Sequence, residues 1–346
     1  MVRTIGALAL LALASLPPAV QWSERQSGVT ARLRGVSAIS DRVAWASGAA
    51  GTILRTADGG ATWQQVTIPD TGSLDFRDID AVDERTAYVL SIGPGDASRI
   101  YKTTDAGARW TLQFTNDDPK AFFDAMAFWD AGRGIAVSDS VDGRFVVIVT
   151  ADGGKTWARV PPDALPPALP NEGAFAASGT NVAVLPPAHV WIGTGAAAKA
   201  RVLRSSDAGK TWTVSDTPLR SSASAGIFSV AFRDPSHGIV VGGDYKQERE
   251  PTRNAATTAD GGATWTAVEG LSGFRSAVTY LPRRGNPALL AVGPAGTDLS
   301  LNDGRARTWR VFDGPGYHAV SIAKHGAVAY AVGEQGRIAT AAVGMR

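Results

Sequence analysis

The octet Thr56-Ala-Asp58-Gly-Gly60-Ala-Thr62-Trp63 decides the fold, because close copies of it recur along the chain. We call each copy a box. Five boxes keep the pattern closely, and a sixth at residues 302–309 contains one inserted residue. Sequence repeats of about 20–50 residues indicate a repeat architecture. The box aspartates, which lie 47, 47, 55, 53 and 43 residues apart, are Asp58, Asp105, Asp152, Asp207, Asp260 and Asp303.

Short β-type runs surround each box in the same order. In the first repeat they are residues 36–39, 43–47 and 52–55 before the box, and residues 63–66 after it. Alternating apolar residues separated by glycine or aspartate turns favour β-strands. Tandem four-stranded units at this period predict the blades of a β-propeller.

The box itself has the composition of a tight turn. An aspartate accepts backbone N–H bonds within its own turn, and a following glycine supplies a positive φ angle. Six of the ten tryptophans close a box and begin the next strand. We therefore interpret the box aspartates as structural, with a sugar or metal site in each box as the alternative.

A seventh unit completes the repeat count. Residues 318–322, 327–331 and 337–340 repeat the first three strands, but no box or fourth strand follows them. Residues 20–23 resemble the start of a fourth strand. The sequence therefore predicts an all-β, seven-bladed propeller of four-stranded antiparallel blades, with residues 20–346 as a single domain. The N-terminal strand joins the C-terminal blade and removes the exposed sheet edges.

Longer strings carry a resemblance to a known family. The boxes, together with residues 74–79, 122–126, 173–179, 227–232 and 242–245, resemble the Asp-box propellers, also called bacterial neuraminidase repeat proteins. The closer similarity is to the family related to photosystem II stability and assembly factors. This resemblance implies a propeller that binds or helps to assemble proteins. Sialidases share the fold, but their Phe-Arg-Ile-Pro signature is absent from this sequence.

Composition narrows the function classes. The 346 residues include 34 basic and 32 acidic side chains, a formal net charge of +2, which does not favour a nucleic-acid partner. The absence of cysteine excludes thiol catalysis and thiolate metal sites. No phosphate loop, nucleophile elbow or metalloprotease motif is present. We expect neither a cofactor nor a metal.

Residues 1–19 have the pattern of a secretory signal peptide. Arg3 precedes an apolar run at residues 5–16, and Ala14 and Ala19 are candidate cleavage positions. The run is shorter than the roughly 20 residues that span a bilayer. We expect an exported monomer, periplasmic or extracellular, with no membrane span after signal cleavage.

The repeat alignment also predicts a binding site. Inner strands of a propeller begin around one mouth of the central channel, so aligned residues from different blades converge there. The alignment places Phe175 and Phe228 at such positions as well. The predicted channel-mouth residues are Arg34, Arg77, Asp78, Asp124, Asp139, Glu172, Asp244, Tyr245, Arg275 and His318.

Mixed charge at the mouth leaves several functions open. Arginines that bind a carboxylate favour a protein or peptide partner, and they also fit a glycan or another anionic ligand. The enzymatic alternative is a sialidase-like glycoside hydrolase, in which arginines hold a carboxylate and a tyrosine is the nucleophile. Mutual ion pairs around a wet channel are the structural alternative.

Overall fold

The computed structural model describes residues 20–282, 285–305, 308–312 and 314–343. The predicted signal peptide, residues 1–19, lies outside these ranges. Within them no helix is long and apolar enough to cross a membrane.

Seven four-stranded sheets are arranged as seven blades. The first strand, β1 (Ser23–Arg25), belongs to the last blade. Blade one contains β2 (Leu33–Ala38), β3 (Ala44–Gly48), β4 (Ile53–Thr56) and β5 (Gln64–Gln65). Blade two contains β6 (Asp75–Ala81), β7 (Ala87–Ile92), β8 (Arg99–Thr103) and β9 (Thr111–Thr115). Blade three contains β10 (Phe123–Phe128), β11 (Gly134–Val141), β12 (Arg144–Thr150) and β13 (Ala158–Arg159).

The remaining blades follow the same inner-to-outer order. Blade four contains β14 (Val182–Leu185), β15 (His189–Gly193), β16 (Arg201–Ser205) and β17 (Thr213–Asp216). Blade five contains β18 (Ala225–Phe232), β19 (Gly238–Asp244), β20 (Ala255–Thr258) and β21 (Thr266–Val268). Blade six contains β22 (Ala277–Leu281), β23 (Ala288–Gly293), β24 (Gly296–Ser300) and β25 (Trp309–Phe312). Blade seven contains β26 (Ala319–Ile322), β27 (Val328–Val332) and β28 (Ile338–Ala342), with β1 outermost. Single-turn 3-10 helices occur at Gly95–Ala97, Pro162–Ala164 and Glu334–Gly336.

The ring closes as the sequence predicts. Strand β1 pairs antiparallel with β28, and Ser23 lies opposite Thr340. Beside the pair, the Trp22 ring packs on Tyr317 with centroids 5.1 Å apart, and its indole Nε1 donates to Thr297 Oγ1 at 3.1 Å. The predicted all-β, seven-bladed propeller, with the N-terminal strand in the C-terminal blade, is confirmed.

The core is divided into clusters between neighbouring blades. Strand side chains alternate between the two faces of a sheet, so each blade contributes to two clusters. Each of the seven blade–blade junctions holds such a buried apolar cluster. An eighth and smaller cluster, made by Ala177, Phe228, Phe274 and Phe175, belongs to no single junction.

The boxes form the turns between third and fourth strands, as expected for structural devices. In blade three, Asp152 accepts hydrogen bonds from the Thr156 amide at 3.0 Å, the Thr156 hydroxyl at 2.7 Å and the Thr150 hydroxyl at 2.9 Å. The Gly154 amide donates to Thr150 Oγ1 at 2.9 Å. These bonds, above all the one from the Thr156 side chain, lower the pKa of Asp152 to about 2.

The sixth box differs from the sequence assignment. The Gly304 amide donates to Ser300 Oγ at 3.1 Å, which is the same four-residue bond that the other boxes make. That register puts Asn302 at the position of the box aspartate. Asp303 instead has a φ angle of 54°, and its carboxylate lies 3.2 Å from Arg233 of blade five. The assignment of Asp303 as a box aspartate is therefore wrong, because the inserted residue hid the register.

Candidate functional site

A cavity of about 890 Å³ opens at the centre of the propeller. It is lined by the first residues of inner strands and by loops between second and third strands. Antiparallel strand order puts these segments on one face, and the boxes on the opposite face. The cavity is therefore the predicted channel mouth.

Four inner strands carry a β-bulge at the same position. The register shifts in β2, β6, β10 and β18 leave Arg34, Arg77, Asp124 and Phe228 unpaired. All four of these residues line the cavity. Because a bulge bends the strand and re-aims a side chain, the repeated bulge explains why residues from separate blades meet at the mouth.

One side of the mouth carries more arginine than carboxylate side chains, and we call it the cationic side. Arg77 Nε lies 2.9 Å from Asp75, and Arg32 lies 3.6 Å from the same carboxylate. Arg34 forms no ion pair with the residues that the structure describes, and its Nε is buried without a hydrogen-bond partner. Burial, reinforced by Arg77 and Arg32, lowers the pKa of Arg34 to about 10. The guanidinium of Arg34 therefore remains charged at neutral pH. Glu334 and Asp75 oppose the shift of its pKa, but neither lies within ion-pair distance of it.

Two carboxyl groups lie beside this cationic side. Asp124 is 2 % exposed, and its Oδ2 has no hydrogen-bond partner. Burial and then repulsion from Asp139 raise the pKa of Asp124 well above its usual range. Burial raises the pKa of Asp139 to about 6, although that carboxylate accepts a 2.8 Å bond from the Ala174 amide. Asp139 therefore titrates just below neutral pH, and Asp124 keeps its proton to a higher pH than a solvated aspartate does.

His318 and Glu334 also line the mouth. The His318 Nε2 lies 2.6 Å from Glu334 Oε1, while its Nδ1 is buried without a partner. Burial and the nearby Arg34 lower the pKa of His318. The imidazole is therefore neutral at pH 7, and it donates Nε2–H to Glu334.

Aromatic side chains cover the opposite part of the mouth. Phe175 stacks on Phe228 with centroids 4.0 Å apart and an interplanar angle of 12°. Phe274 and Tyr245 meet the Phe228 ring near edge-on at 4.6 and 6.2 Å. Tyr245 is 44 % exposed, which is unusual for so large an aromatic side chain. We call these four residues the aromatic wall.

Residues 173–177 lie along the mouth, not in an inner strand. The Ala174 amide donates to Asp139, and the Ala176 carbonyl accepts a 2.8 Å bond from Arg77 Nη1. Blade four's inner strand begins only at Val182. The prediction that Phe175 begins that strand is therefore wrong, yet the residue does reach the mouth.

The structure brings seven of the ten predicted residues to the cavity. Glu172 is among them, but its carboxylate is already saturated by Arg201, Thr194 Oγ1 and the Leu169 amide. This buried pair fixes the end of the proline-rich connection between blades three and four. The seven residues are Arg34, Arg77, Asp124, Asp139, Glu172, Tyr245 and His318.

The other three predicted residues do not line the cavity. Arg275 has a fully buried side chain that lies 2.7 Å from the equally buried Asp298. Asp78 lines a separate cavity of about 600 Å³ toward the other end of the channel, and burial raises its pKa to about 8. Asp244 is 8 % exposed and accepts a 2.9 Å bond from the Lys246 amide in its own turn.

Sequence reasoning missed four residues that shape the mouth. Asp75 precedes Arg77 by two positions in the same strand, and that alternation would have identified it. Phe274 directly precedes Arg275, and the repeat alignment assigned the mouth position to Arg275 instead of Phe274. Glu334 and Arg201 carried no repeat signal. In the described ranges no group of three or more histidine, aspartate or glutamate side chains could hold a metal ion.

Comparisons with known proteins agree with this architecture. Residues 19–149 match the family described as photosynthesis system II assembly factor YCF48. The chain resembles the YCF48-like propellers. A solved structure of YCF48 bound to D1 peptide is 16 % identical with a TM-score of 0.65, covering 95 % of this chain and 100 % of that one. YCF48 from Cyanidioschyzon merolae is 17 % identical with a TM-score of 0.64, covering 93 % and 98 %.

The fold is shared more widely than the YCF48-like proteins. A GH74 xyloglucanase from Xanthomonas campestris is 15 % identical with a TM-score of 0.62. The match covers 94 % of this chain and 54 % of the xyloglucanase. No curated protein matches the chain. Structural likeness at these identities shows the fold, so function has to be argued from the mouth.

Proposed function

We propose that this protein is an exported, non-enzymatic factor that binds a protein segment at the channel mouth and supports that partner's assembly or stability. The observation that carries the proposal is Arg34, a half-buried guanidinium with no ion-pair partner among the described residues. A half-buried charge without a partner is costly, and an anionic ligand removes that cost.

A peptide carboxylate is the anion that fits this arrangement. A guanidinium binds a carboxylate in bidentate geometry, and Arg77 lies next to Arg34 with part of its donor set free for a ligand. Asp139 and Arg77 already bond a backbone amide and a backbone carbonyl of residues 173–177. The groups at the mouth therefore suit extended peptide backbone. Similarity to YCF48, one structure of which holds a D1 peptide, supports the same ligand class.

The proposal is tested by partner capture with single substitutions. Arg34→Ala should keep the fold, because no described residue pairs with Arg34, and should lose the partner. Arg109→Ala is the matched control, since that arginine is 91 % exposed and lies in a box on the opposite face. Immobilised proteins are incubated with the extracytoplasmic fraction, and bound proteins are compared by mass spectrometry. Equal recovery of every partner by Arg34→Ala and wild type would refute binding at the mouth.

Export and the monomeric state are parts of the same proposal. Arg3 and the apolar run at residues 5–16 support cleavage after Ala14 or Ala19. Cell fractionation followed by N-terminal mass spectrometry should find the mature chain outside the cytoplasm. A full-length chain in the cytoplasm would contradict it. Sedimentation of the purified mature chain should give the mass of one copy.

Glycoside hydrolysis is the second candidate function, favoured by one observation. Asp124 and Asp139 are two carboxyl groups of raised pKa in one cavity, which is a feature of acid–base pairs. The tyrosine of a sialidase-like mechanism would be Tyr245, whose ring contacts Phe228 and no carboxylate base in the described contacts. We expect no turnover of sialosides or xyloglucan. Turnover that disappears in Asp124→Asn would establish the enzymatic alternative.

A further inference from the structure

We infer that the aromatic wall is a specificity subsite that receives one bulky apolar or aromatic side chain of the peptide, next to its carboxylate. The inference rests on the proposed peptide binding and adds the side-chain class that the mouth selects. The wall consists of Phe175, Phe228, Phe274 and Tyr245.

Blade packing does not require the wall. The seven junction clusters already bury the apolar faces of all blades. The three phenylalanines of the wall belong to the separate eighth cluster, and Tyr245 packs on its Phe228 ring. The bulge in β18 places Phe228 there. It occupies the same strand position as the bulges that place Arg34, Arg77 and Asp124. The repeated β-bulge therefore places charged groups on one side of the mouth and an aromatic ring on the other.

Part of the wall remains open to solvent. Phe228 and Phe274 are 3 % exposed, so they form the support, whereas Phe175 is half-buried and Tyr245 is 44 % exposed. Exposed aromatic surface is stabilised when an apolar group covers it, and aromatic pairs gain from edge-to-face contact. Tyr245 and Phe175 therefore offer the contact surface to a ligand.

One cavity joins the wall to the arginines. Arg34, Arg77, Phe175, Phe228 and Tyr245 all line the same volume of about 890 Å³. Pockets of about 300–1,000 Å³ accept ligands of a few residues, bound by an apolar surface with a few placed polar groups. A ligand whose carboxylate reaches the arginines thus brings its nearest side chains to the wall. A glycan offers no such pairing of a carboxylate with a bulky apolar group.

Peptide selection tests the inference directly. The probe is a pool of N-acetylated seven-residue peptides with a free C-terminal carboxylate and three randomised positions at that end. A parallel pool carries a C-terminal amide. Peptides retained on immobilised protein are identified by mass spectrometry. We expect wild type to enrich phenylalanine, tyrosine, tryptophan or leucine at one position by at least fivefold, in the free-carboxylate pool only.

Substitutions in the wall separate selectivity from anchoring. Tyr245→Ala should reduce the enrichment at least twofold, and Tyr245→Ala with Phe175→Ala should abolish it, while both still prefer the carboxylate pool over the amide pool. Leu112→Ala is the control, because Leu112 is 49 % exposed on an outer strand far from the mouth. Thermal melting verifies that each variant is folded.

The possible outcomes distinguish this inference from the proposed function. Carboxylate-dependent retention without side-chain preference overturns the subsite and leaves peptide binding intact. Enrichment that is unchanged in Tyr245→Ala, or that persists in the double variant, also overturns the subsite. Equal retention of the two pools, or no retention, overturns the proposed carboxylate binding and this inference with it.

Discussion

Replacing Arg275 by alanine should strongly lower the stability of the propeller. It should not act by removing a ligand contact, since Arg275 does not line the mouth. The side chains of Arg275 and Asp298 are both fully buried, and they lie 2.7 Å apart. Removal of one partner leaves an uncompensated buried charge, which costs about 3–5 kcal/mol. For a chain of this size, where each kcal/mol shifts the melting temperature by about 2 °C, the loss corresponds to about 6–10 °C.

The pH dependence of the defect gives it a signature. Burial already raises the pKa of Asp298, and Arg275 opposes that shift. In Arg275→Ala the folded-state pKa rises further above the unfolded value of about 3.9. The folded state then favours the protonated acid, so the stability deficit is small near pH 4 and grows as the pH increases.

Thermal unfolding followed by circular dichroism at pH 4, 6 and 8 measures these effects. Arg77→Ala is the control, because it also removes an arginine near the start of an inner strand, but one whose side chain is 20 % exposed at the mouth. Arg275→Met combined with Asp298→Leu should recover most of the stability, since it removes both charges and keeps the volume. A melting temperature for Arg275→Ala within about 1 °C of wild type at pH 8, well below the shift calculated above, would refute the reasoning.

Three further outcomes follow from the structure. Asp152→Ala should lower the melting temperature at pH 7, and the difference should shrink as the pH falls from about 4 toward 2, since the folded-state pKa is depressed to about 2; a constant difference would contradict it. Binding of a free-carboxylate peptide should tighten between pH 7.5 and 5 as Asp139, whose pKa is about 6, loses its charge. Asp139→Asn should flatten that titration. Gly195→Ala should destabilise, because a Cβ there would lie 2.6 Å from Gly226 Cα, whereas Gly72→Ala, with open space around it, should not.

The sequence predicts correctly those features that depend on the position of a residue within its repeat. Blade count, ring closure and the convergence of Arg34, Arg77 and Asp124 all follow from the position of each residue in its repeat. Their bulges share a local pattern, an apolar residue before and a small or short residue after, which alignment of the repeats detects. That pattern determines the position on the inner strand from which each of these side chains projects.

Alignment does not determine what a side chain meets. The repeat alignment matches Arg275 with Arg77, but the sheet register does not, because β22 pairs with β23 without the bulge that leaves Arg77 unpaired, and Arg275 lies before that strand. Its guanidinium instead forms a buried ion pair with Asp298 in β24 of its own blade. Glu172 likewise meets Arg201, 29 residues further along the chain. Such long-range pairs depend on side-chain placement, which a single sequence does not record.

Ring closure has a consequence for how the chain folds. Arg25 and Thr340 are 315 positions apart, yet their side chains bond at 3.0 Å in the β1–β28 pair. Contacts between residues so far apart in sequence form late in folding, because closing the long intervening loop costs entropy, and they slow folding. The last blade therefore forms only after the final strand has been synthesised. Until β1 pairs with it, β28 has an open edge, the kind of strand that pairs with another chain. A second copy's β1 is the most complementary partner for that edge, so strand exchange between chains that have not yet closed competes with closure.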